Sequence, residues 1–492
     1  MRKPFKVQSP RFKVFILLGL CLALCLSSLS WAQTKGPWED VKLALEMGMQ
    51  DLALNRLESY KPATQREKER TWLAMGYIYF KEKRYQQAQA LLKKIPPSSI
   101  YYPAAQALSW NQEMEIEEVK GVEPPVSAPF KVFQKLLTQD PVAALDYLVL
   151  NSSLLLPGEE KKGVLGIYRL FFWRGDDDRV LALFRRFPFL AEKRETLWEA
   201  ALAHYRRGEF RQALALLASL PPSARVHYWQ ATLLNILGRK GEAQRHLKKA
   251  AKGWGFYPFL ARLHLGMAIP RYKPCPQARL DRKGLFHDLV DMGLEEVAQK
   301  ILMDRLWTQK VSRDRALALF ATINPSLALK LGMKGCLIYP HRNPVAGFCR
   351  LYHVDPSLVY AVMRQESMFD KKALSRSNAM GLMQVLPTTG DYISRKLSST
   401  IFTPPMLYVP LFSIKYGVWY LAYLKKRFPT LPLVVAAYNA GPTAVTSWYK
   451  KWRMASAPEV AEFFPKAETR NYVKRVITYY LLYSFARDNG RP

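Results

Sequence analysis

Cysteine is scarce in this chain of 492 residues: five in all, at positions 21, 25, 275, 336 and 349. So few in so long a chain exclude a small disulfide-stapled scaffold. The seven histidines are scattered, and no Cys/His group has zinc-ligand spacing, so neither a metal nor a cofactor is expected. Negative charge is thin as well. Forty acidic residues stand against 73 basic ones, a formal net charge of +33 at pH 7. An excess of that size favours an anionic partner and long-range steering. No run beyond residue 32 is long and apolar enough to read as a transmembrane helix.

The first 32 residues are set apart. Arg2, Lys3, Lys6, Arg11 and Lys13 form a basic start, Val14 to Leu26 is apolar, and Ser30-Trp31-Ala32 puts small residues at −3 and −1. That pattern predicts a cleaved secretory signal peptide over 1–32. An anchor fits less well, because ~13 apolar residues fall short of the ~20 needed to span a bilayer. Leucine before Cys21 and Cys25 disfavours a lipoprotein. Removing five basic and no acidic residues takes +33 to +28 and leaves Cys275, Cys336 and Cys349. An odd count cannot close within one chain, and a Cys336–Cys349 bridge stays open as one pairing. Export, and the lack of a zinc-finger or RNA-binding signature, argue against a nucleic-acid partner despite the basic pI.

From residue 33 to about 335 the text is helical, with short breaks at glycine or proline. A turn followed by a close-packing alanine recurs: Gly48 before Ala53, Lys-Arg-Tyr before Ala88, Gly208 before Ala213, Gly-Arg-Lys-Gly before Ala243, and Gly293 before Ala298. The spacing lies near the ~34-residue tetratricopeptide period, so stacked helical hairpins are predicted. Trp72, Tyr77, Tyr79, Trp198, Tyr205 and Trp229 sit on these helices and read chiefly as packing residues. Pro124, Pro125 and Pro129 mark a proline-rich break near 120–130, expected to be a loop.

The region 336–492 carries the chemistry. Asp355 and Pro356 suit the cap and first position of a helix. Leu358, Val359, Val362 and Met363 form an apolar stripe, and Glu366 falls on its continuation near the helix end. Desolvation and the negative end of the helix dipole both disfavour the ionised carboxylate, so Glu366 can serve as a general acid. Taken alone it would be an ordinary glutamate at a fraying end. It is followed by Ser367, Phe369, Ala373, Ser375 and Gly381-Leu382-Met383-Gln384, in an order and spacing that resemble the signature of the soluble lytic transglycosylases. Ala-Tyr438-Asn439-Ala-Gly-Pro and Glu468-Thr-Arg-Asn-Tyr472-Val resemble that family's second and third signatures. Phe256 to Gly266 also looks like the segment that closes the superhelical part of those enzymes.

The resemblance implies an all-α protein, with a TPR-like superhelical arm over 33–335 and a lysozyme-like catalytic domain over 336–492. It implies a periplasmic enzyme acting on peptidoglycan glycan strands, a polyanionic meshwork that suits the basic charge. Glu366 would protonate the oxygen between N-acetylmuramic acid and N-acetylglucosamine, then take the proton from the sugar's C6 hydroxyl as a 1,6-anhydro ring closes. Ser367 and Gln384 would hold carboxyl and substrate in register. Tyr438 would help hold the carboxyl, with Asn439, Glu468 and Tyr472 at the substrate. Asp370 and Asp391 do not belong to the family's pattern. Three departures stand out: Asn378 replaces a usual glycine, and Val409 and Ser413 replace a common aspartate and asparagine, with surface contacts expected to differ. A water-using muramidase of the same fold, and an envelope adaptor that only binds glycan, remain the rivals. Partner proteins on the arm, and cleavage from ends or within strands, stay open.

Overall fold

The computed structural model describes residues 37–109, 127–281, 284–398 and 402–487. The expected signal peptide, and the proline-rich break up to residue 126, lie outside the described residues. The described chain is almost wholly helical and divides into two compact units. Among the described residues, one combines 37–109 with those of 272–423, and the other combines 127–271 with 424–487. Each unit therefore takes part of the arm and part of the C-terminal region. No helix among the described residues is long and apolar enough to cross a membrane.

In the first unit, Trp38–Glu46 pairs with Gln50–Ser59, and Gln65–Lys81 with Tyr85–Leu92. The turns work as the residues dictate. Gly48 adopts φ 70°, while the second turn forces Lys83 to φ 59°, a conformation that costs a residue with a Cβ. The alanines after such turns are the close-packing points: Ala53, Ala88 and Ala298 are at most 1% exposed. Gly76 makes room for Leu92, whose side chain an added Cβ would meet at 2.8 Å. Thr64 caps its helix through a reciprocal pair with Glu67. The Gln65–Lys81 helix is tied to Leu285–Asp291 by Arg66–Asp288 and Arg70–Asp291, each at 2.7 Å, and the Tyr101 hydroxyl donates to Asp288 at 2.6 Å.

The cysteines correct one open pairing. Lys273–Pro274 runs parallel to Cys336–Leu337, which brings the Cα atoms of Cys275 and Cys336 to 4.8 Å, and these two form the disulfide. Cys349 lies on the Arg342–Tyr352 helix, buried at 4% exposure, and takes no part in it. The strand pairing, invisible as periodicity in two residues, decides the partner.

In the second unit, four consecutive hairpins run from Ala128–Gln139 to Lys240–Ala250. Gly208 and Gly238 take φ 74° and 76°, and Ala213 and Ala243 are fully buried. Pro129 does not break a helix. It sits in the first turn of Ala128–Gln139, where its missing N–H costs nothing, and Ser127 caps that end. Trp229 is 1% exposed, with Tyr205 edge-on at 5.1 Å, so its role is packing. The C-terminal helices Leu431–Ala440, Ala457–Phe463 and Ala467–Arg487 pack on one another, and Phe256–His264 lies against the last. Gly441 ends the first of them at φ 84°, and Pro442 opens the next helix, Pro442–Trp452.

Candidate active site

Glu366 is the last residue of the Pro356–Glu366 helix, capped at its start by Asp355, whose carboxylate accepts the Ser357 N–H at 2.9 Å. Leu358, Val359, Val362 and Met363 are at most 2% exposed, so the apolar stripe anchors the helix, and Glu366 emerges half-buried at its C-terminal end. Its neighbour Ser367 ties that end down. The buried Ser367 hydroxyl donates to the Leu382 carbonyl at 2.8 Å and lies 3.2 Å from that of Met363, clasping the helix end to the Gly-Leu-Met-Gln stretch.

That stretch belongs to a tight loop. Met380 bridges Leu374 and Val385, the Gly381 N–H donates to Ala373, and the Ser375 hydroxyl accepts the Ala379 N–H. Asn378 adopts φ 62°, so it fills the left-handed position where the resembling family has glycine. Gly381 is required twice over. It holds φ 74°, and a Cβ there would collide with the Leu407 carbonyl. Gln384, at φ 47°, uses its side-chain amide nitrogen on the Ala373 and Gly381 carbonyls, both at 3.0 Å.

Val409 and Ser413 are not surface departures. Ser413 is fully buried, and its hydroxyl accepts the Met383 N–H at 3.2 Å. Val409 packs with Met47 and Met406 in an apolar cluster, where a carboxylate would be unpaired. Gly417, which the sequence did not single out, sits under Met383: an added Cβ would meet the Met383 Cβ at 2.7 Å.

Just past the carboxyl-bearing helix, Lys371 lies between Glu46 at 2.6 Å and Glu295 at 2.9 Å. Burial alone would lower its pKa, yet the two carboxylates outweigh it and the net shift is upward. Lys372 pairs with Glu296 at 2.5 Å, as does Lys81 at 2.8 Å, and these lysines overcome desolvation to bring Glu296 down to about 2. Burial, with Lys371 and Lys42 nearby, pushes His341 down to about 4. Sequence offers no signal for this network, because its acids lie far from the lysines along the chain.

In the second unit, Tyr438 and Asn439 close the Leu431–Ala440 helix. The Asn439 carbonyl accepts from the buried Thr469 hydroxyl at 2.6 Å, and its amide reaches the exposed Glu468 carboxylate at 3.4 Å. The second and third signatures thus meet side chain to side chain. Thr469, the residue after Glu468 in the third signature, orients Asn439. Tyr472 is 4% exposed and sits in the core of the last helix. Among the described residues, no group of His, Cys, Asp and Glu could hold a metal ion.

Residues 349–459 match the family model of the Transglycosylase SLT domain. The chain carries an SLT domain. Glu366, Ser367, Gln384, Tyr438 and Asn439 lie inside the matched SLT residues, and Glu468 and Tyr472 just beyond them. The chain is 29% identical over 303 residues to a soluble lytic murein transglycosylase of Escherichia coli K12, covering 56% of this chain and 47% of that protein. It is 31% identical over 212 residues to a membrane-bound lytic murein transglycosylase C of Haemophilus ducreyi, covering 38% and 56%. The chain spans about half the length of the curated relatives it matches. Its fold is similar to that of an inactive mutant of lytic transglycosylase Slt from Pseudomonas aeruginosa, with TM-score 0.60 and 22% identity over 96% of this chain and 86% of that one. The 70-kDa soluble lytic transglycosylase in complex with bulgecin A superposes with TM-score 0.60 at 19% identity, covering 92% and 81%. The SLT domain and the helical hairpins before it are thus the architecture expected from the sequence.

Proposed function

We propose that this chain is a peptidoglycan lytic transglycosylase, exported to the periplasm by residues 1–32, with an arm over 33–335 and a catalytic region over 336–492. The observation that carries the reading is Glu366 at the end of a buried helix in an SLT domain, with its neighbour Ser367 clasped to Leu382. The other acids near it in sequence are occupied. Asp370 accepts the Lys372 N–H at 2.9 Å, and Asp391 pairs with Arg395 at 2.8 Å on an exposed helix face. Ordinary glycosidases need two carboxyl groups about 5–9.5 Å apart. One carboxyl that works twice suits a different chemistry.

On this reading, Glu366 protonates the oxygen of the β-1,4 bond between N-acetylmuramic acid and N-acetylglucosamine. A helix C-terminus favours the protonated carboxyl, which has a proton to give. The C1–O bond breaks, the cation is stabilised by the 2-acetamido group, and the ionised Glu366 removes the C6 hydroxyl proton as that oxygen closes on C1. No water is consumed. Effective molarity lets an internal hydroxyl outrun solvent. Ser367 and Gln384 act by holding the loop beside the carboxyl and Tyr438 by helping hold the carboxyl itself, while Asn439 and Glu468 serve the substrate side and the buried Tyr472 supports them from the core. The relatives' names, lytic murein transglycosylases, support the same substrate.

The test is Glu366→Gln assayed on purified sacculi. Loss of lysis with sacculus binding retained is expected; unchanged lysis would overturn the assignment.

A further inference from the structure

The second unit contains a cavity of about 670 Å3 whose walls include Arg169, Arg194, Arg225, Arg470, Trp198 and Glu199. Neither Asn439 nor Glu468 lines it, so it is separate from the side chains assigned to the substrate above. Its size falls in the ~300–1,000 Å3 range of small-ligand sites.

Its wall holds four arginines and three glutamates, the exposed Glu195 with Glu199 and Glu462, and these charges are unevenly matched. Glu462 is 3% exposed and fully engaged: Arg225 forks onto it, Lys474 reaches it at 2.8 Å, and the Tyr257 hydroxyl donates to it. Arg470 is different. It gives hydrogen bonds to the Phe464 and Pro465 carbonyls at 2.7 and 2.8 Å, and among the described residues no carboxylate lies within ion-pair distance of it. Arg194 is exposed at the rim. Guanidiniums of this kind suit forked binding to a carboxylate.

The neutral groups of the wall are also incomplete. Trp198 and Glu199 are 6% and 9% exposed, and both the indole Nε1 and one carboxyl oxygen of Glu199 are buried with no hydrogen-bond partner. The other oxygen is 3.7 Å from Arg169. A buried donor and a buried acceptor without partners are each left unsatisfied, and a ligand's amide groups would satisfy them. Burial, only partly offset by Arg169 and Arg470, raises Glu199 to about 7, so its carboxyl can both donate and accept near neutrality. Sugar stacking is less well provided for. Arg225 lies over the Trp198 ring at 3.7 Å and Arg470 over Trp173 at 4.0 Å, so one face of each indole is already covered.

We propose that this cavity binds a short acidic peptide, whose carboxylates reach Arg194 and Arg470 and whose backbone amides meet Trp198 and Glu199. The peptide's source rests on the function proposed above: the stem peptides of the cell wall are the acidic peptides this chain would meet. A second site for them would hold the wall while the glycan is cut elsewhere.

Calorimetric titration of the full-length Glu366→Gln protein tests this, because no turnover is needed. The probes are a sugar-free stem tetrapeptide, the same peptide with its carboxyls amidated, an unrelated acidic tetrapeptide, and glycan stripped of peptide. The stem peptide should bind, and Arg194→Ala, an exposed substitution, should weaken it at least tenfold. Amidation should weaken it as much. Glu199→Ala in the same background should also weaken binding, while Glu468→Ala should not. No binding, equal binding of the amidated peptide or the bare glycan, or indifference to Arg194→Ala would overturn the site. Equal binding of the unrelated acidic peptide would keep the site and overturn the wall as its source. A failure to find lytic activity would leave these binding results standing.

Discussion

Replacing Lys371 with methionine removes the cation that holds Glu46 and Glu295 together beneath the loop after Glu366. The lysine side chain is 19% exposed and each carboxylate 12%, so water can screen little of what is lost. Two carboxylates would then face each other in a partly buried site. Breaking such a pair by deleting one partner costs ~3–5 kcal/mol, because the remaining charge is stranded. The pair itself is worth less than that. A triple change, Lys371→Met with Glu46→Gln and Glu295→Gln, should therefore recover to within ~1 kcal/mol of the parent. Urea unfolding at pH 7, followed by tryptophan fluorescence and far-UV dichroism, reads both numbers. The raised folded pKa of Lys371 adds a sign: its stabilisation is intact below the ordinary lysine pKa and fades as pH rises through the folded value. A Lys371→Met protein within ~1 kcal/mol of the parent, or a triple variant no better than the single one, would refute the reasoning.

Two further outcomes are expected on the same physical grounds. Glu199, raised to about 7 by burial, binds its proton more tightly folded than unfolded, so stability should fall as pH rises from ~4.5 to ~7. Glu199→Gln should match the parent near pH 4.5 and exceed it above pH 7 by up to ~3 kcal/mol, and parallel stability–pH curves would contradict this. Gly381→Ala places a Cβ at φ 74° against the Leu407 carbonyl; it should cost ~2–4 kcal/mol from strain and overpacking and lower lytic activity by shifting Gln384. A variant with unchanged melting temperature and activity would show that the loop tolerates the side chain.

What the sequence disclosed, and what it hid, divides along physical lines. Local rules carried well. The turn glycines at 48, 208, 238 and 293 do take positive φ, and the alanines after them are the buried contacts. Asn378 behaves as a substitute for glycine because its conformation, not its chemistry, is what the turn needs. The apolar stripe before Glu366 is buried as its spacing required. Contacts between distant segments were illegible. Cys275 found Cys336 because two-residue strands happen to pair, and Lys371 found Glu46 because a hairpin far upstream packs there. Val409 and Ser413 are buried for the same reason: whether a position is surface or core depends on what covers it, and Met47 covers Val409. Thr469 stood in plain view, but its role appears only once Asn439 is placed beside it.

The central claim is that Glu366 acts as acid and then base, with the sugar's own hydroxyl as nucleophile. Digestion of sacculi by the purified chain in 18O-labelled water, followed by mass spectrometry of the muropeptides, tests it most directly. The account predicts muramic acid ends one water lighter than reducing ends, with no label taken up. Reducing ends carrying 18O at C1 from the start of the reaction would contradict it and make the chain a hydrolase.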